Sequence, residues 1–156
     1  MELIAGFKAD VNVSDATGKT ALHFMSEQGK ITVVQVLVKV GANVEAAKDE
    51  DGGTSLHEAS TYGHAAVVQT LLQHGADVAA TNKWGRTALD FAEDCRDEVK
   101  KEEVKAAFVQ HFAQVDITDQ NKNTLLLVLS RLGVASRLPA VLLAGADLKH
   151  TDEVCL

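Results

Sequence analysis

Six histidines and two cysteines are the side chains of this sequence best suited to hold a metal or to attack a substrate. A metal site needs three or four donors at ligand spacing, and neither His111 nor His150 has such neighbours along the chain. His57-Glu58 opens like a zinc-protease motif, but Thr61 stands where the second histidine is required. Asp49, Asp51 and Gly53, and again Asp119, Asn121 and Asn123, alternate like the opening of a calcium loop. The twelfth position, which should carry a bidentate glutamate, is Ser60 in one and Ser130 in the other. Cys95 lies beside Arg96 and near Lys100 and Lys101, whose charge favours a thiolate, yet no base is placed to work with it. The C-terminal Val154-Cys155-Leu156 is too short to specify a strand-adding peptide reader, and Cys155 is misplaced for prenylation. The chain also lacks a glycine-rich phosphate loop and a G-x-S-x-G elbow. The expectation is a protein that is not an enzyme and has no metal and no cofactor.

The elements that carry these residues follow from a repeat. His23 and His57 occupy the same place in G-K-T-A-L-H and G-G-T-S-L-H, and the series continues as G-R-T-A-L-D and K-N-T-L-L-L. The anchoring threonines are Thr20, Thr54, Thr87 and Thr124, at intervals of 34, 33 and 37 residues. Nine residues after the anchor come Gly29, Gly63 and Gly133; twenty-one after it come Gly41, Gly75 and Gly145, each followed by Ala, then Asn or Asp. A period in this range marks a stacked-repeat architecture. Small and apolar residues after the threonine open a short inner helix, and the glycine nine residues on permits the left-handed backbone that ends it. An outer helix then leads to a Gly-Ala-Asp segment that brackets an extended finger.

Ile31 to Val40 (ITVVQVLVKV) is rich in β-branched residues and by propensity reads as a strand. Its alignment with the second outer helix, Val33 on Val67 and Leu37 on Leu71, predicts a helix instead. The third unit has Arg96 where the inter-helix glycine should be and four extra residues before Phe112, which predicts helices longer by about one turn.

The pattern resembles the ankyrin repeat, whose units read roughly D-x-x-G-x-T-P-L-H-x-A, a glycine, a second helix and G-A-D-V-N. The family's proline after the threonine is replaced by Ala21, Ser55, Ala88 and Leu125, a change that alanine and leucine tolerate as good helix formers. The resemblance implies an all-α ankyrin solenoid forming a single domain over residues 1–156. Full repeats are expected at 15–48, 49–81, 82–118 (with the insertion) and 119–151, with a partial unit at 1–14 and the start of another at 152–156. It also implies that His23 and His57 hydrogen-bond between neighbouring repeats, and that His64 and His74 follow the same repeat logic. The fourth inner helix, around Leu125 to Leu132, is apolar nearly all round. Self-association, an additional domain or a longer array is expected to cover it.

Composition limits the partners. The net charge of −7 argues against nucleic acid, which calls for clustered surplus Lys and Arg. No apolar run approaches the length of a membrane span, so no membrane association is expected. Two distant cysteines and a start without a secretory pattern favour a reducing, intracellular setting, cytoplasm or nucleus.

The resemblance then implies a protein or peptide partner bound on the concave side, by positions four, three and one before each threonine and seven and eight after it. The partner-binding candidates are Lys19 and Glu27 in the first unit and Glu50, Asp51 and Tyr62 in the second. The third contributes Lys83, Trp84, Arg86 and Asp94, and the fourth Arg131. Trp84 and Tyr62 are the only tryptophan and tyrosine of the chain, and with arginine these types dominate binding hot spots. Acids gather in the first two units and bases in the last two, which predicts a polar gradient along the surface. A second reading is a docking or regulatory fragment of a larger multidomain protein such as an enzyme or channel.

Overall fold

The computed structural model describes residues 9–114. The chain divides into two compact units, Met1–Phe108 and Val109–Leu156, and the described part of the second is the end of one helix. Most of the partial unit expected at 1–14 lies outside the described residues. The whole repeat expected at 119–151, with Arg131, lies outside them too.

Six helices are described: α1 (Ala21–Glu27), α2 (Ile31–Lys39), α3 (Ser55–Thr61), α4 (Ala65–Gln73), α5 (Ala88–Glu93) and α6 (Glu98–Gln114). The short helices α1, α3 and α5 pack in order, α1 on α3 and α3 on α5; α2 lies on α1 and α4, and α4 on α3. Leu22, Leu56 and Leu89, each two residues after its threonine, are buried, and so are Val34, Val68 and Leu71 from the outer helices. The extended segments between helix pairs form no strand among the described residues. Each closes on itself through one antiparallel bridge, Ser14 to Thr20, Ala47 to Thr54 and Thr81 to Thr87.

Each inner helix starts at its threonine, whose backbone is still extended, as a helix-capping residue should be. The links to the outer helices, residues 28–30 and 62–64, turn through Gly29 (φ +67°) and Gly63 (φ +74°). A Cβ at Gly63 would stand 2.6 Å from Lys100 Cβ, so glycine is required there twice over, by conformation and by space. The segment Ile31–Lys39 is helical despite its β-branched content. Burial of Val34 against the stack outweighs a per-residue propensity cost of a few tenths of a kcal/mol.

The third repeat departs from the expectation. Its inner helix is not extended; α5 has 6 residues against 7 in α1 and α3, and α6 alone takes the added length, 17 residues against 9 in α2 and α4. Without a glycine the turn cannot use the left-handed region cheaply. No non-glycine residue among those described has positive φ; the link instead runs over four residues, 94–97. Asp97 then starts α6 by accepting from the N–H groups of Val99 (3.1 Å) and Lys100 (3.3 Å).

Candidate partner-binding surface

The fingers are closed and joined by hydrogen bonds. Asp15 Oδ1 accepts from the N–H of Thr17 (2.8 Å) and Lys19 (3.0 Å), and Asn82 Oδ1 accepts from the N–H of Trp84 and Arg86, both at 3.0 Å. Asp51 Oδ1 accepts from Gly53 N–H at 2.7 Å. Successive fingers are joined by backbone bonds, Asp49 N–H to Thr17 O and Lys83 N–H to Asp51 O, each 2.9 Å. The Lys83 ammonium reaches back to the carbonyls of Asp49 and Glu50. Asp49 and Asp51 thus serve finger geometry, and among the described residues no three His, Cys, Asp or Glu converge as a metal site.

Behind the fingers, the first and third units build the same three-layer stack. In the first, Lys19 ion-pairs with Glu27 and lies 4.6 Å from the centre of the Phe24 ring. In the third, Arg86 ion-pairs with Asp94 and lies 4.4 Å from the centre of Phe91. A cation one residue before the threonine therefore covers a ring four after it and meets an acid seven after it. The middle unit breaks this pattern with Gly53, Glu58 and Thr61 at the same three positions. Lys48, from the extended segment leading into the turn, takes over: its ammonium pairs with Asp51 at 2.8 Å and with Glu58. Its stem fills the space over Gly53, where a Cβ would stand 3.3 Å from Lys48 Cε. Burial pulls the Lys48 ammonium down, but its two carboxylate partners outweigh this and hold its pKa above the ordinary lysine value. Burial pushes the Asp51 carboxyl up, and Lys48 with the Gly53 N–H brings it below its usual value.

Tyr62 joins the first two units. Its hydroxyl lies close enough to the Glu27 carboxylate to contribute to lowering that group's pKa, its ring stacks on His64 with centroids 6.5 Å apart, and it remains 47% exposed. The hydrogen bond from Lys19 is the main cause of the lowered Glu27 pKa. Trp84 is 68% exposed, and its ring has no such attachments among the described residues. Lys19 and Arg86 each pair with an acid of their own unit, and Lys83 is drawn back to the middle finger, so these cations are already engaged within the chain; Arg131, at the far end of the expected gradient, lies outside the described residues. The Phe24 and Phe91 layers and the Lys48–Asp51–Glu58 cluster were missed by sequence reasoning. Their signal was available in the triplets Lys-Phe-Glu, Gly-Glu-Thr and Arg-Phe-Asp at one fixed spacing.

The histidines connect the units. Thr20 N–H donates to His23 Nδ1 (3.1 Å), which leaves the ring proton on Nε2 to donate to Gly53 O at 3.2 Å. His57 repeats this with Thr54 N–H (3.1 Å) and Arg86 O (3.1 Å), and His64 Nε2 reaches Glu27 O at 2.9 Å. His74 stays within its own helix, on Thr70 O at 2.8 Å. Burial lowers the pKa of both His23 and His57. In the third unit Asp90 takes the histidine position, and its carboxylate accepts from Thr87 N–H at 2.8 Å.

Helix pairs stacked in register, braced by inter-repeat histidines and fronted by hydrogen-bonded fingers, define a helical-repeat protein. The chain belongs to the ankyrin repeat family: the family model for ankyrin repeats (3 copies) matches residues 1–82. Comparison with curated proteins found no match. Ankyrin repeats are generally protein–protein interaction modules and typically non-catalytic. Among the described residues no helix is long and apolar enough to cross a membrane.

Proposed function

We propose that this chain is a non-catalytic, intracellular module that binds a polypeptide partner with its finger and inner-helix face, centred on the second and third units. The observation that carries this reading is the exposure of Trp84 and Tyr62, 68% and 47%, on a hydrogen-bonded finger and at an inner-helix end. Large aromatic surface carried on an already ordered backbone lowers the entropic cost of binding. The histidines, acids and Cys95 support the fold: His23 and His57 tie repeats together, and Cys95 is buried beside Gly63.

The test is capture of a partner from extracts of the source cells by the wild-type chain and by the Trp84→Ala, Tyr62→Ala double variant. Loss of more than about 1 kcal/mol of binding with unchanged helicity is expected. Equal capture by both chains would remove the surface from consideration.

A further inference from the structure

We infer that the partner is a folded protein that takes Trp84 into an apolar pocket with a hydrogen-bond acceptor at its mouth. This rests on the binding reading above and specifies the partner. The cations Lys19, Arg86 and Lys48 already face carboxylates of this chain, and the Lys83 ammonium lies on finger carbonyls. A charged extended segment laid along this face would have to exchange those intramolecular pairs for intermolecular ones, with little net gain.

Trp84 is different. The residues at its place in the two preceding fingers fold back: the Thr17 hydroxyl donates to Asp15 Oδ1 (2.7 Å), and Asp51 bonds Gly53 and Lys48. Among the described residues, Trp84 hydrogen-bonds only through its backbone N–H, to Asn82. Its indole N–H, a donor only, meets no acceptor there. The finger beneath it is locked by Asn82 and by the Lys83 N–H bond to Asp51 O. Beside it, nothing lies within 4 Å of where a Gly85 Cβ would be, so a pocket wall can close on the ring from that side. A solvated ring with one free donor, carried on a hydrogen-bonded finger, fits a concave receptor that is apolar within and offers a carbonyl or carboxylate at its rim.

The experiment uses the full chain carrying a photo-crosslinking benzoylphenylalanine in place of Trp84, Tyr62 or Gln28, irradiated in extracts of the source cells. Position 84 is expected to label one protein at least about tenfold more than the other two, with adducts mapping to separate segments of a single folded domain. With that protein purified, Trp84→Ala should weaken binding at least about tenfold, and Trp84→Phe by less. Because Trp84 is the only tryptophan, its emission should move to shorter wavelength and lose access to iodide on binding. If positions 62 and 28 label best, along one contiguous segment, the pocket proposal falls and the binding reading stands. An unshifted emission spectrum in the complex also overturns the pocket. If no position labels above background, both fall.

Discussion

At the scale of single residues, the cations Lys19, Lys48 and Arg86 are each paired with carboxylates of this chain. Glu58 replaces the ring that Phe24 and Phe91 supply in the neighbouring units, and this substitution is tolerable because Lys48 covers it. Removing that cation strands two nearby carboxylates, Asp51 and Glu58, the second of them buried. Lys48→Met should therefore destabilise the fold by about 2 kcal/mol, and Glu58→Gln by less, because Lys48 keeps Asp51. Urea unfolding of the two variants checks the order. Ser60 is the opposite case: its hydroxyl is buried with no hydrogen-bond partner among the described residues. Ser60→Ala should leave stability unchanged or raise it by up to about 1 kcal/mol, read from the same titration; a clear loss would mean the hydroxyl has a partner. The candidate residues themselves were legible from their distance to each threonine. Their pairing was not, because Lys19 with Glu27 and Arg86 with Asp94 meet across a finger and a helix end eight residues apart.

At the scale of elements, the turn between inner and outer helices is the most demanding part of each unit. Gly63 combines a left-handed backbone with a close approach by Lys100. Gly63→Ala should cost at least about 2 kcal/mol, measured by thermal or urea unfolding, since strain and overpacking add. A cost under 0.5 kcal/mol, on the order of a surface substitution, would show that α6 can retreat. The third unit meets the same demand differently, lengthening its link around Arg96 and letting α6 absorb the remaining residues. The insertion was visible in the sequence as added charged residues. Their allotment to one helix was not, because Asp97, four residues beyond α5, supplies a fresh N-terminal cap that local counting could not rank against continuing the inner helix.

At the scale of the described stack, stability depends on bonds between repeats, three of them made by histidines, and two of these histidines, His23 and His57, are buried. Nδ1 of His23 and of His57 accepts a backbone N–H, so protonating it removes an acceptor and sets two donors against each other. Burial lowers both pKa values in the folded state, whereas the unfolded chain takes up these protons near pH 6.5. Below that pH the unfolded state binds more protons, so stability is full above about 6.5 and is lost as pH falls, by up to about 1.4 kcal/mol per pH unit for each histidine. Urea midpoints from pH 7.5 to 5 should decline accordingly. The His23→Gln, His57→Gln variant should start lower and decline less, and an equally steep decline in it would assign the effect to other groups.

The repeat, the all-helical fold and the helical state of Ile31–Lys39 were determined by sequence alone, because a register shared across the chain is a stronger constraint than the propensity of any one segment. Which charges stay available to a partner was decided only by tertiary structure. Exposure and pairing depend on side chains that approach one another across fingers and helices, and Lys48 reaches Glu58, ten residues on, only after the finger has folded back over Gly53. Trp84 was identifiable as an aromatic at a surface position; its standing as a ring held only by its backbone required seeing Asn82 beneath it and open space at Gly85.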